Sequence, residues 1–153
     1  MLSKPTTDHV INGVRATLDE QVLPKLTDEP TRVAVQMMQQ ILRGAAVRAA
    51  HEIAWMHEEI AGIRVVAAGA ADDAAVAEAV AALDGLDALD AASLHLEDVQ
   101  ARYDKAGEVL SRCVEAAYAA GDDEAVERAR AVLALRSAHE MEIIGQLDLV
   151  GRG

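Results

Sequence analysis

The chain has 153 residues, of which 52% are hydrophobic, and it carries a formal net charge of −12. A domain of this length can bury a hydrophobic core without disulfides or structural metals. The negative charge repels phosphate groups and anionic lipid, and one Trp, two Tyr and no Phe leave few rings for base stacking. We therefore expect neither nucleic acid nor a membrane surface as partner.

The N-terminus and the cysteine content indicate the compartment. The sequence MLSKPTTDHV lacks the apolar run of a signal peptide, and no window approaches the roughly 18 uninterrupted apolar residues of a membrane span. Cys113 is the single cysteine, so no intramolecular disulfide can form, and we expect it to be a buried hydrophobic residue of its helix. These features predict a soluble cytoplasmic protein.

The first predicted helix begins after Thr6 or Thr7, whose hydroxyls can cap free backbone N–H groups. Asp8 then lies favourably near the positive end of the helix dipole. Pro24 ends the helix, because the residue before a proline is pushed out of the helical region. The inward positions repeat at helical spacing and comprise Val10 or Ile11, Val14, Leu18 and Val22.

The second predicted helix is the longest, covering about residues 29–66, with Thr27 or Asp28 as its cap and Pro30 tolerated in its first turn. Gly44 interrupts its apolar seam and allows a kink or a close helix crossing. The seam has a spacing near 3.5 residues, typical of helical bundles, and comprises Met38, Ile41, Ala45, Ala49, Ile53, Met56, Ile60 and Ile63.

An acidic, alanine-rich segment follows at about residues 67–91. From Ala71 to Ala101 there are eight acidic residues and no Lys or Arg. We predict a short helix at about Asp72–Leu83 and then a turn containing Gly85. Because alanine-rich faces bury little area per residue, we expect this segment to be the most mobile part of the chain. Its charge either keeps the protein soluble or docks a basic partner.

Two further helices are predicted, at about Ala91–Ala119 and from the acids that follow Gly121 to about Val150. Their inward positions are Leu96, Val99, Tyr103, Ala106, Leu110, Cys113, Val114 and Ala117 in the fourth helix, and Val126, Ala129, Val132, Leu133, Ile143, Ile144 and Leu147 in the fifth. No strand pattern or fixed repeat is present. The sequence predicts an all-α antiparallel bundle of four to five helices, forming a single domain over residues 1–153.

The stretch HEIAWMHEEI raises the question of a metal site. His51 and His57 lie about 120° apart around a helix, whereas a zinc protease motif needs histidines at i and i+4. Di-iron bundles need Glu-x-x-His, and the residues three before each histidine are Thr6, Arg48, Ala54, Ala92 and Arg136. We predict no metal ligands and no cofactor. Convergence of histidines from different helices, in a metal-binding enzyme or sensor with His and Glu clusters, remains the alternative.

Polar side chains on two helices form a second candidate site. His51 and Glu58 are seven residues apart and share a helix face. Arg136 and Glu140 are i,i+4 neighbours on the stripe of Leu133. They either pair within the helix and face a partner, or extend outward from a half-buried surface. The candidate polar cluster is therefore His51, Glu58, Arg136 and Glu140.

No catalytic residue is predicted. The serines lack a Gly-x-Ser-x-Gly context, and the chain has no glycine-rich phosphate loop.

The first third of the chain resembles a known family. KPTTDHVINGVRATLDEQVLPKL and TRVAVQMMQQIL are similar to small all-helical proteins encoded beside aminoglycoside-phosphotransferase-like kinases and acyl-CoA dehydrogenases. That family combines a Pro-Thr start, a Val-Leu-Pro-x-Leu element and an Arg-Val-Ala-x-Asn opening of the long helix. The counterparts within residues 4–50 are Pro5 and Thr6, then Val22, Leu23, Pro24 and Leu26, then Arg32, Val33, Ala34 and Gln36. Gln36 replaces the usual Asn, and Pro30 with Thr31 replaces a Phe-His pair.

The resemblance implies a companion subunit and no enzymatic activity of its own. It implies an accessory or scaffold protein that binds a phosphotransferase-like kinase in acyl-CoA or hydroxy-acid catabolism. We count a second copy of the chain as a further candidate partner. Planar donors near the start of the long helix suit such an interface, and they suit plain solvent equally: Arg32, Gln36, Gln40 and Arg43. The remaining alternative is a stand-alone regulatory interaction module.

Overall fold

The computed structural model describes residues 4–90 and 93–145, except for the side chain of Asp90. Five α-helices and no strands are found within these ranges, so the predicted all-α helical bundle is confirmed. The helices are α1 (Thr7–Thr17), α2 (Glu29–Ala68), α3 (Ala74–Asp90), α4 (Leu96–Ala120) and α5 (Asp123–Ile144). None of these helices has the length and apolar character needed to cross a membrane.

Local side-chain chemistry sets several helix ends as predicted. Asp28 Oδ2 accepts a hydrogen bond of 3.0 Å from the backbone N–H of Thr31 at the start of α2. Asp122 Oδ1 accepts one of 2.9 Å from the backbone N–H of Ala125 at the start of α5. Gly121 ends α4 with φ of 64°, a left-handed conformation that costs glycine little.

The first helix begins where predicted, but its N-cap contact and its end differ from the prediction. Thr6 is the N-cap residue, but its hydroxyl makes no capping bond; Oγ1 lies 2.7 Å from Nδ1 of His9 instead. Regular α-helix ends at Thr17, and the chain continues through a π-helical turn at Leu18–Val22 and a 3-10 turn at Leu23–Lys25. Pro24 lies within that last turn, so helical structure stops directly after it.

The third helix is longer than predicted, because α3 continues through Gly85, where we expected a turn. Its side chains explain the difference. Leu83 is fully buried, and Arg64 of α2 binds both Asp84 and Asp87, on either side of Gly85. These long-range contacts hold the backbone helical across the glycine. The mobility expected for residues 67–91 stays a prediction.

The last two helices differ from their predicted limits at the start of α4 and at the end of α5. α4 starts at Leu96, later than the predicted position near residue 91; residues 91 and 92 themselves lie outside the described residues. α5 ends at Ile144. The predicted continuation to Val150, including Leu147, lies outside the described residues.

The described residues divide into two compact units. Unit 1 comprises those up to Glu52 and from His139 onward, and unit 2 comprises Ile53–Ala138. The main core lies in unit 2, where α2, α3, α4 and α5 all contribute to it. Its buried members are Ile60, Ile63, Val66, Ala67, Val76, Ala79, Leu83, Ala106, Val109, Leu110, Cys113, Ala129 and Val132.

Unit 1 contains α1, residues 29–52 of α2 and the end of α5. Gln39 Nε2 donates a hydrogen bond of 2.7 Å to the backbone oxygen of Arg15, which ties α2 to α1. A Cβ atom built on Gly44 would lie 3.1 Å from the carbonyl oxygen of Ile143. This is the close helix crossing predicted at Gly44, here between α2 and α5.

The predicted inward positions fit unit 2 better than unit 1. Ile60 and Ile63 are buried as expected, whereas Met38 and Ile41 of the same seam are 53% and 71% exposed. The prediction was wrong for these two because helical spacing shows which residues share a face, and it cannot show whether another helix covers that face. Leu96 and Leu133, also predicted inward, are exposed as well.

Candidate functional site

A carboxylate, a phenol and a guanidinium meet inside unit 2. Glu59 of α2 is only 4% exposed. Tyr103 of α4 donates its hydroxyl proton to Glu59 Oε2 over 2.5 Å, and Nε of Arg136 in α5 donates to the same oxygen over 2.9 Å. The guanidinium carbon of Arg136 lies 5.0 Å from the centre of the Tyr103 ring. We call these three residues the carboxylate cluster.

Small residues bring the helices close enough for this arrangement. A Cβ atom on Gly62, one turn after Glu59, would touch Val132 at 3.4 Å, and Val132 lies one turn before Arg136. Ala106, one turn after Tyr103, is fully buried. The Glu59 carboxylate is buried, which strengthens its charge-assisted hydrogen bonds and would make it costly to leave unpaired.

The electrostatics of the cluster favour a donor role for the phenol. Burial, and then the hydrogen bond to the Glu59 carboxylate, raise the pKa of Tyr103 to about 12. Burial by itself would lower the pKa of Arg136, but the hydrogen bond to Glu59 and the negative charge of that carboxylate outweigh it and raise that pKa. At neutral pH the phenol is therefore protonated, and it is neither a base nor a nucleophile. The cluster cross-links three helices.

A second polar network connects α3 and the start of α4 to α2. Arg64 donates to Asp84 at 2.8 Å and to Asp87 at 2.5 Å. Arg102 is 4% exposed; its Nη2 donates to the carbonyl oxygen of Ser93 at 2.8 Å, and its Nη1 lies 3.9 Å from Asp87. No feature of the sequence marked Arg102 as buried. Besides the carbonyl oxygen of Asp98 in its own helix, it contacts the preceding loop and another helix.

An apolar cavity of about 330 Å³ lies between α2 and α3. Its size falls within the range of small-molecule pockets. Among its described lining residues, the charged ones are Arg64 and Asp84, and these bind each other. Alanine, valine and leucine side chains form the other walls. The cavity thus offers volume, without a polar group directed at a ligand.

The four residues of the candidate polar cluster predicted from the sequence are divided between the two units. His51 and Glu140 are exposed in unit 1, Glu58 is exposed in unit 2, and Arg136 is half-buried in unit 2. Arg136 binds the neighbouring carboxylate, Glu59. One sequence signal could have found Glu59, since it lies three residues after Met56 and four before Ile63, which places a carboxylate within the apolar seam.

The predicted partner-binding residues lie on α2 in unit 1. Arg32 and Gln40 are exposed, whereas Gln36 and Arg43 are half-buried. The Arg43 side chain packs against Gly145, which has φ of 69°, and a Cβ atom there would overlap the guanidinium. Arg43 is thus packed inside its own unit, its buried Nη1 has no hydrogen-bond partner among the described residues, and its partner-binding role stays a prediction. We call the other three residues, Arg32, Gln36 and Gln40, the donor row of α2.

Metal and thiol chemistry find little support in the described part of the chain. Within residues 4–90 and 93–145, no group of three or more His, Cys, Asp or Glu side chains is placed to hold a metal ion. Cys113 is buried as predicted, and burial raises the pKa of its thiol, which disfavours the reactive thiolate.

Comparison of the chain with protein-family models, with curated proteins and with solved structures finds no match. The family resemblance of residues 4–50 accordingly stays a prediction.

Proposed function

We propose that the protein is a non-catalytic accessory subunit that binds another protein through the donor row of α2, Arg32, Gln36 and Gln40. Two of its three residues, Arg32 and Gln40, are exposed near the start of the longest helix, and this accessibility carries the proposal; Gln36 is half-buried. The proposed partner is a phosphotransferase-like kinase of acyl-CoA or hydroxy-acid catabolism. That identity depends on the resemblance of residues 4–50.

The closed carboxylate cluster supports a non-catalytic role. A general base or nucleophile must reach its substrate with a lone pair available near neutral pH. The Glu59 side chain is 5% exposed and accepts two hydrogen bonds on one oxygen, and Tyr103 holds its proton up to about pH 12. Glu59 and Tyr103 thus serve to join helices.

The donor row is chemically suited to a protein interface. Arginine and glutamine present planar N–H donors that match carboxylates and backbone carbonyl groups. Arg32 lies 3.8 Å from Glu29, and both side chains are well exposed, so this ion pair contributes little to stability. A partner can therefore take over the Arg32 guanidinium at small cost.

Affinity capture of the tagged full-length protein from its native cell, with mass spectrometry and metal analysis of the same eluate, tests the proposal. Wild type should retain a kinase in stoichiometric amount. The double variant Arg32→Ala with Gln40→Ala should retain at least about tenfold less, the loss expected when interface donors worth about 1.4 kcal/mol are removed. Both changes lie at exposed sites, so folding should be preserved.

Arg112→Ala is the matched control, because Arg112 is also exposed and also forms an i,i+3 ion pair, with Glu115 in unit 2. It should capture as much kinase as wild type. Undiminished capture by the double variant would refute the donor row as the interface. A protein recovered alone with a transition-metal ion would favour the metal-binding alternative, and a strongly basic partner would favour the regulatory module.

A further inference from the structure

The described residues of unit 1 include several exposed large hydrophobic side chains and almost no fully buried ones. Ala46 is the one buried residue among the described residues of this unit. Its exposed large hydrophobic residues are Val10, Val14, Met37, Met38, Ile41, Met141 and Ile144. Helices in proteins owe most of their stability to burial of an apolar face against a neighbour. Within the described chain, unit 1 lacks the large buried side chains that would supply this stabilisation.

The exposed residues of α2 in this unit form one face. At about 100° per residue, Met37, Met38 and Ile41 fall within an arc of about 100°. Gln39, which binds α1, lies about 150° from the middle of that arc, so the arc points away from α1. The donor row occupies a different arc. We call Met37, Met38 and Ile41 the apolar face.

The net charge of each unit indicates which kind of partner can cover the apolar face. The described residues of unit 1 contain six Lys and Arg against eight Asp and Glu, a net charge of −2. The described residues of unit 2 contain seven Lys and Arg against seventeen Asp and Glu, a net charge of −10. Two identical copies repel strongly if they meet through unit 2 and weakly if they meet through unit 1. A basic partner would instead be attracted to unit 2.

We propose that the protein forms a homodimer in which the apolar face of one copy packs against the apolar face of a second copy. A twofold dimer uses the same patch on both chains, so a nearly neutral, apolar, self-complementary surface is what it requires. Two methionines suit such a contact because their side chains adapt to irregular surfaces. The dimer goes beyond the proposed kinase binding, which uses the donor row, so either proposal can fail alone.

Sedimentation equilibrium of the full-length protein tests the dimer. Wild type should be dimeric, and Ile41→Asp should raise the dimer dissociation constant at least about 100-fold, because it would place a charge in an apolar contact. Val65→Asp is the matched control: Val65 is 68% exposed on the same helix, but it lies in unit 2. It should leave the dimer intact. A monomeric wild type, an unaffected Ile41→Asp or a monomeric Val65→Asp would each overturn the proposal.

A cross-linking experiment avoids any dependence on the folding of the aspartate variant. Ile41→Cys introduces one exposed thiol, while Cys113 is buried and its thiol pKa is raised, so it reacts poorly with maleimides. A short bismaleimide should join two Ile41→Cys chains in high yield and two Val65→Cys chains in low yield. Equal yields from the two variants would contradict packing of the apolar face on itself.

Discussion

The carboxylate cluster predicts that most of the stability contributed by the Arg136 side chain depends on the charge at position 59. Arg136→Met keeps most of the side-chain volume and leaves the Glu59 carboxylate buried without its cation. Loss of one partner from a buried ion pair costs roughly 3–5 kcal/mol. The Arg136 side chain is 26% exposed, so water screens part of this effect, and we expect about 2–4 kcal/mol.

Glu59→Gln provides the second side of a double-mutant cycle. The glutamine carbonyl still accepts the Tyr103 hydroxyl, but it carries no charge for Arg136 to neutralise. In the Glu59→Gln background, Arg136→Met should cost about 1 kcal/mol or less, which corresponds to lost packing alone. The coupling free energy should therefore be at least about 1–2 kcal/mol.

Urea unfolding at neutral pH measures each corner of the cycle. The single tryptophan, Trp55, lies in unit 2 and is half-buried, so its fluorescence can report unfolding of that unit. Far-UV circular dichroism should give the same midpoint if unfolding is two-state. An equal cost of Arg136→Met in both backgrounds would refute the argument, because it would mean that water already neutralises the Glu59 charge.

Two other predictions concern Tyr103 and a pair of glycines. The Tyr103 phenol should ionise near pH 12, and this ionisation, followed by ultraviolet absorbance, should be absent in Tyr103→Phe. Since burial raises its pKa above the unfolded value of about 10, the stability contributed by Tyr103 is fully present below pH 10 and declines from there toward pH 12. Gly121→Ala should destabilise by about 1 kcal/mol because φ is 64°, whereas Gly85→Ala, within α3, should stabilise by up to about 1 kcal/mol. No neighbour lies within 4 Å of either added Cβ, so thermal unfolding showing shifts of the same sign would contradict the backbone argument.

Long-range partners explain why the candidate site was predicted only in part. The sequence singled out Arg136 because it lies on an apolar stripe, and Glu58, the residue before Glu59, because it shares a helix face with His51. It could not show that Arg136 would reach across 77 positions to Glu59, or that Tyr103 would bind the same oxygen. Arg102 escaped prediction for a related reason, since its buried guanidinium is satisfied by the carbonyl of Ser93.

The sequence by itself determined the all-α class and several helix ends of this protein. Asp28, Asp122 and Gly121 act on backbone groups within one turn, so their effects can be derived from neighbouring residues alone. Tertiary structure decided whether α3 would stop at Gly85, because Arg64 on another helix binds on both sides of that glycine. It also decided which apolar stripes are covered, since burial depends on a neighbouring surface that periodicity along one helix does not encode.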